Sequence, residues 1–550
     1  MAGIPYTEAL SRYQIAAPRP LRDSSLAVAD LLEQFHPDYL KNSTVELKVG
    51  ANKGDRCHRD LARILQSDSR IDDLALAGVE VLETDVLVIG GGGAGCTAAI
   101  TAAEQGVEVM LATKLKLGDS NTVMAEGGIQ ASIEPSDTPQ MHYDDTLRAG
   151  HHLSDKALVE LLAMSGPEVV RWLIQQGMQF EVNKYGDLLT RKPGGASAPR
   201  VVYYRDYTGL EMMRVLRESV RNCKVVVREF SPVVDLLSDE SGHCAGAVLS
   251  NLSMDAYTVV RARQVILASG GIGRLHLNQF PTSNHFGATG DGLVLAYRLG
   301  AKLRDLDSFQ YHPTGMAYPC HMMGSLITEG VRSAGVQILN ALGERFVEEL
   351  NPRDHVAAAI IRECAEGRGV LTEKGVGVWL DTPTLERQQP GIFERRFPKL
   401  VQRGKQGSVD PRQIPMLIYP TLHYQNGGVV IDVNGQSTVP GLYCVGEVSG
   451  GIHGRNRLMG NALLELVVFG RRAALHAAAN LRRSGYHRVS LEHLSNMRRE
   501  LMRLGEDMTY KGPQLFPDYA NFDNDPDYRD LNYRIILGEL GARIRKLVST

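Results

Sequence analysis

The 550-residue chain has no apolar run approaching the roughly 20 residues a membrane-spanning helix needs. Its first eight residues, Met1 to Glu8, lack a basic stretch ahead of an apolar one, so the protein is expected in the cytoplasm, without direct membrane insertion. An excess of one charge is also missing. The 60 Lys and Arg stand against 63 Asp and Glu, a formal net charge of −3, which supplies no field to draw the chain onto nucleic acid or anionic lipid. Cysteine is sparse: Cys57, Cys96, Cys223, Cys244, Cys320, Cys364 and Cys444 are dispersed, without a Cys-x-x-Cys pair or the clustering that zinc or iron–sulfur ligation requires. No metal site is therefore expected, and the cysteines read as small buried apolar residues in a reducing compartment. Any electrons used here must pass through another molecule. Internal repeats are absent, and the length suits about two to four ordinary globular domains.

What is present begins with Thr84-Asp85-Val86-Leu87-Val88-Ile89, a β-branched apolar run that reads as a buried parallel strand. It enters Gly90-Gly91-Gly92-Gly93-Ala94-Gly95. Gly90, Gly92 and Gly95 occupy the G-x-G-x-x-G places, which supply a tight turn, close backbone approach to a pyrophosphate, and close packing of a helix expected to open at Cys96. The next strand, 107–112, ends at Thr113-Lys114, where a generic NAD site has an acidic residue for the ribose; a plain NAD site is disfavoured.

Five segments follow in the second half: Gln310-Tyr311-His312-Pro313-Thr314-Gly315, Ile327-Thr328-Glu329-Gly330, Pro352-Arg353-Asp354, Leu422-His423-Tyr424 and His453-Gly454-Arg455-Asn456-Arg457-Leu458. Polar groups of this kind, gathered over a redox cofactor, would clamp two carboxylates and leave one donor to deliver a proton. In order, wording and spacing, from about Glu83 to about Arg482, the chain resembles the flavoprotein subunits of fumarate reductase and succinate dehydrogenase, and their soluble relative L-aspartate oxidase.

The resemblance implies FAD, held by the glycine loop, Thr113-Lys114, and the segment 120–129, which in the family lies against the isoalloxazine through Ser120, Asn121, Thr122, Ala125, Gly127 and Gly128. Many membrane-bound relatives have a flavin-linking histidine at the Asn121 place, so non-covalent FAD is expected. Glu126 sits where relatives often have glutamine. A carboxylate facing the flavin there would lower its potential, unless Glu126 points to solvent. The segment 265–271 and Thr289-Gly290-Asp291-Gly292 are expected over the adenosine half, with Asp291 in contact. Glu447 is expected on the ribityl chain, and Asn461, Ala462 and Leu463 open a helix whose first N–H groups face the flavin pyrimidine edge.

For catalysis, the resemblance assigns Arg353 as proton donor, with Glu329 and Arg332 as the relay behind it, and His312, Thr328, His423 and Arg457 as carboxylate ligands. Arginine is an unusual acid, so this role requires a neighbouring charge and rapid reprotonation. The implied reaction is hydride transfer between flavin N5 and a C4 dicarboxylate such as fumarate or succinate, and the implied electron partner is an iron–sulfur subunit. Two other readings stand beside it: an L-aspartate oxidase, and a non-catalytic flavin electron-transfer or scaffold subunit. Val331-Arg332-Ser333-Ala334-Gly335 departs from the Arg-Gly-Glu-Gly pattern common in the family, and the loop between His312 and Thr328 has a length nearer the oxidase. Gly194-Gly195-Ala196-Ser197-Ala198-Pro199-Arg200 lacks the oxidase's histidines and is expected as a loop near the cofactor.

The expected fold class is α/β: a Rossmann-like FAD-binding domain from 80–305 and 421–485, an inserted α+β capping domain at 306–420, and a helical, irregular C-terminal region at 486–550. Residues 1–79 lie outside the resemblance and read as a structured extension. Helical spacing covers 26–35 and 55–66, and strand alternation covers 44–49.

Overall fold

The strand Glu80–Ile89 loses its alternation at Val86, and Val86, Leu87, Val88 and Ile89 are all buried, as in a strand covered on both faces. In the computed structural model, which describes residues 3–16, 18–22, 26–71, 78–252, 256–481 and 488–517, this strand lies parallel between Val109–Ala112 and Ala256–Leu267. Val225–Arg228 continues the sheet in parallel beyond Val109–Ala112. On the far side of Ala256–Leu267 lie Leu442–Cys444, parallel, and the antiparallel strands Cys244–Asn251 and Val233–Ser238, completing seven strands. A strand from residue 442 thus returns to a sheet begun at residue 80.

The first crossover helix, Gly93–Glu104, opens three residues earlier than expected, so Gly93, Ala94 and Gly95 form its first turn. Glycine carries no helix signal of its own, yet the geometry demands it here. A Cβ on Gly95 would sit 1.8 Å from the Gly90 carbonyl oxygen, and one on Gly90, at φ +119°, would sit 2.3 Å from the Ala268 oxygen. The helix is pressed directly against the turn that precedes it, which aims its N-terminal N–H groups at one spot.

A second, six-stranded sheet is built mostly from residues 309–425. Phe309–Met316 and Met416–Gln425 pair antiparallel, Gly375–Leu380 joins Met416–Gln425, and Val370–Thr372 and Ile338–Leu339 extend from Gly375–Leu380. Helix Arg353–Ala365 packs on this sheet and against helix Val28–Phe35, and is buried along nearly its whole length. Between the two sheets, Met416–Gln425 carries the chain back to the first.

The described residues of the N-terminal extension touch both sheets. Ile4–Pro5 forms an edge strand parallel to Val370–Leu371, Arg19 pairs with Asp381 at 3.0 Å, and Arg22 binds Glu344 and Glu363. Further on, Tyr297 donates to the Val49 carbonyl, and Arg298 to the carbonyls of Ser67 and Asp68. The helical expectation for 55–66 holds only from Arg59 to Leu65, because Arg56–His58 is drawn into a hairpin with Thr44–Glu46 and the His58 side chain then caps the helix. The strand expected at 44–49 is accordingly shorter. Toward the C-terminus, helix Glu492–Arg503 is followed by Lys511–Gly512, which pairs with Asp68–Ser69. Of the helical, irregular C-terminal region expected at 486–550, residues 518–550 lie outside the described residues. No helix among the described residues is long and apolar enough to cross a membrane.

Candidate active site

One elongated cavity runs from the glycine loop to the second sheet. At one end it is lined by Gly90, Gly92, Thr113, Lys114 and Asp291, in the middle by Ser120, Asn121, Thr122, Ala125, Gly127, Gly128, Glu447, Ala462 and Leu463, and at the other end by His312, Thr328, Glu329, Arg353, His423 and Arg457. Residues as far apart in the chain as Ile89 and Leu466 therefore share one lining. Three expected site residues stand behind it. Gly95 is covered by the turn it packs on. Arg332 lies beyond Glu329. The side chain of Asn461 is tied back to Thr146 at 3.0 Å and His142 at 2.8 Å, while its helix Asn461–Asn480 still points its N-terminus at the cavity.

Glu329 is fully buried and organises the far end. Its Oε2 accepts from Arg353 Nε at 2.8 Å and from Arg332 Nη2 at 2.9 Å, and its Oε1 accepts from the Gly194 N–H at 2.8 Å. Burial alone would push this carboxyl up; the two arginines and the N–H overcome it and hold the group at about 2. The loop beginning at Gly194 thus meets the residue behind Arg353. Arg332 also donates to the Glu349 carbonyl, which fixes it as a buried cation in line with Glu329 and Arg353.

Arg353 and Arg457 converge on one amide. The Gln310 Oε1 accepts from Arg353 Nη1 at 2.8 Å and Arg457 Nη2 at 3.0 Å, and the Gln310 Nε2 donates to the Arg457 carbonyl and to Asn456. The Arg457 guanidinium lies 4.4 Å from the centre of the Tyr424 ring, whose hydroxyl donates to Glu465 at 3.0 Å. Burial, then the charge of Arg353, pulls the Arg457 guanidinium down to about 10. The rings of His312 and His423 stand 5.0 Å apart, edge to face. Burial and the neighbouring arginines push both imidazoles well below their ordinary value, so both are neutral at pH 7. Arg332, Arg353 and Arg457 gather three guanidiniums around Glu329 at this end, a setting that suits an anion. Gln310 and Tyr424 fall inside the sequence motifs, but nothing in the sequence signals that Gln310 joins the two arginines, because the three residues meet only in the fold.

In the middle of the cavity, Asn121 donates to Asn284 at 2.6 Å and to Glu447 at 3.2 Å, and accepts from the His285 N–H. Burial raises the Glu447 carboxyl to about 7 despite its bonds from Asn121 and the Gln425 N–H. Glu126 follows the cavity-facing reading of the sequence and not the solvent-facing one. It is buried, not solvent-directed, and it is paired with Arg403 at 2.9 Å and Lys399 at 3.1 Å. Those two cations, far downstream in the chain, neutralise the charge expected to lower the flavin potential. At the glycine end, Lys114 binds Asp291 at 2.6 Å and Thr289 at 2.8 Å.

A profile of the FAD binding domain family matches residues 85–463. The fumarate reductase (CoM/CoB) of Methanothermobacter marburgensis has one subunit that is 40% identical over 421 residues, 74% of this chain and 75% of that protein. The L-aspartate oxidase of Streptomyces coelicolor is 38% identical over 412 residues, 72% and 69% of the two chains. Among solved structures, E. coli quinol fumarate reductase FrdA superimposes with a TM-score of 0.72 at 29% identity, covering 85% of this chain and 81% of that one.

Proposed function

The chain belongs to the FAD-dependent oxidoreductase family of fumarate reductases and succinate dehydrogenases, and from that premise we propose that it is a catalytic subunit interconverting fumarate and succinate, with Arg353 as the proton donor. The observation that carries this reading is the alignment Arg332–Glu329–Arg353, buried and hydrogen-bonded in series at the end of the FAD cavity.

The residues present suit the cofactor. Glycines at 90 and 95 let the helix close onto the turn before it, and the N-termini of Gly93–Glu104 and Asn461–Asn480 direct N–H groups into the cavity for a pyrophosphate and for negative charge on a reduced ring. FAD bound there supplies the hydride in the reductive direction. Asn121, which cannot form the histidyl link of many relatives, supports non-covalent binding. Acid precipitation of the purified protein is expected to release all of its FAD into the supernatant, and a yellow pellet would refute this.

In the proposed reaction His312, Thr328, His423 and Arg457 hold the substrate carboxylates. Neutral imidazoles donate hydrogen bonds without adding charge, so the guanidiniums supply the positive charge that meets the substrate carboxylates. Arg353, presented by Gln310 and Glu329, gives a proton to the carbon next to the one reduced. Glu329 stabilises the guanidinium before transfer; afterwards Arg332 gives a proton to Glu329, which hands it on to the neutral Arg353, and solvent restores the proton on Arg332. The segment 306–420 acts as a cap that closes over the substrate and excludes water. An iron–sulfur subunit is the electron partner; that relatives of this chain are themselves subunits of larger reductases and dehydrogenases supports such an assembly.

Aspartate would bring an ammonium group needing a free acceptor. Glu329, the carboxylate bonded to Arg353, is already held by two arginines and is not available, which favours fumarate over aspartate. Steady-state assays separate the two. Under nitrogen with reduced viologen the purified chain should form succinate from fumarate, and in air it should form no peroxide from L-aspartate. The reverse pattern would make it an oxidase.

A further inference from the structure

Gln310 is itself held by a chain of hydrogen bonds that leads out of the site. Its Nε2 donates to Asn456 Oδ1 at 2.9 Å, Asn456 Nδ2 donates to Asp354 Oδ1 at 3.1 Å, and Asp354 Oδ2 meets His151 Nε2 at 2.7 Å. Asp354 follows Arg353 in the first turn of helix Arg353–Ala365, Asn456 precedes Arg457, and His151 comes from the turn after helix Pro139–Ala149. Three separate segments, including those bearing both site arginines, are therefore tied at Asp354.

The turn that presents His151 is unusual. His151 and His152 are consecutive non-glycine residues at φ +57° and +59°, the left-handed region that L side chains rarely occupy. It also grips the arginine loop directly, since Gly150 accepts from the Arg455 N–H and packs so closely on Gly454 that a Cβ there would lie 2.2 Å from the Gly150 oxygen. Unlike His312 and His423, the His151 side chain is about one-third exposed, so it exchanges protons with solvent.

We infer that His151 and Asp354 form a positioning pair for the catalytic arginines, making substrate capture depend on the protonation of His151. The inference rests on the proposed role of Arg353 and extends it to residues that touch no substrate. A charged imidazole makes a stronger bond to Asp354 than a neutral one and so holds Arg353 and Arg457 at their common Gln310 acceptor. Besides Asp354, the charged groups facing His151 are Arg455, which is paired with Asp307, and His36, which burial keeps neutral. The bond to Asp354 raises the His151 imidazole against the opposing effect of burial. The sign follows: the charged pair is complete below the ordinary imidazole value of about 6.5 and is lost as pH rises through the raised one.

The test is the pH dependence of fumarate reduction by the FAD-loaded protein with reduced viologen, between about pH 5.5 and 8.5, for wild type, His151→Gln and Asp354→Asn. In wild type the KM for fumarate should rise about three- to tenfold across the His151 titration. In His151→Gln that limb should vanish, with KM near the wild-type high-pH value at every pH. Asp354→Asn should flatten the same limb, with FAD content confirming that it folds. A KM profile in His151→Gln that keeps the wild-type limb, or no limb in wild type, overturns the inference. An active Arg353→Ala variant would instead overturn the underlying assignment of the donor, so the two failures are distinguishable.

Discussion

Replacing Arg353 with alanine should lower fumarate reduction by about 10³-fold or more while FAD stays bound, because general acid catalysis alone contributes about 10²–10⁴-fold and the same side chain sets the charge balance of the site. The FAD content should be unchanged, since the glycine loop expected to hold the pyrophosphate is a separate part of the cavity lining from Arg353. Lysine at 353 keeps the charge but carries all its donors on one nitrogen, so it cannot reproduce the fork by which Nε meets Glu329 and Nη1 meets Gln310, and little activity should return. Glu329→Gln should cost nearly as much as Arg353→Ala, and the double variant little more than either, because residues acting in series are non-additive. A variant at 353 with more than about a tenth of wild-type turnover would remove it as the donor.

The second large effect is at Gly95. Adding one methyl group by Gly95→Ala forces a carbon to within 1.8 Å of the Gly90 oxygen. The obstacle is backbone, so no side chain can swing aside, and the helix must lift from the turn it packs on. Overpacking of this kind costs about 1–3 kcal/mol even in adaptable cores. Here the displacement also moves the N–H groups expected to face the pyrophosphate, and a loss of about 3 kcal/mol corresponds to roughly 100-fold in FAD affinity. The variant should purify largely without flavin and melt at a lower temperature, while Gly106→Ala, at a site with nothing within 4 Å of the added carbon, should retain FAD even though its φ of +77° carries some strain.

The parts of this architecture that read directly from sequence are those whose signal is local. The uniform burial of Val86 to Ile89 shows as an unbroken apolar run, and the glycine loop shows by spacing alone. The six polar residues at the far end could be named through family order, and the fold brings all six to one cavity. What stays hidden is what depends on distant partners. The orientation of Glu126 is decided by Lys399 and Arg403, and the role of Gln310 by two arginines that only tertiary structure unites. The helix start at Gly93 is masked because its first turn holds two glycines, whose weak helix propensity conceals a position chosen for close packing. The N-terminal strand Ile4–Pro5 is two residues long, too short for any periodicity to reveal.

The most direct test of fumarate reduction at this site is a single turnover. The FAD-loaded protein is reduced anaerobically with one equivalent of dithionite, mixed with fumarate, and followed for flavin absorbance and succinate. Rapid reoxidation with one succinate formed per FAD is the predicted result. Flavin that stays bound and reduced in the presence of fumarate would contradict it.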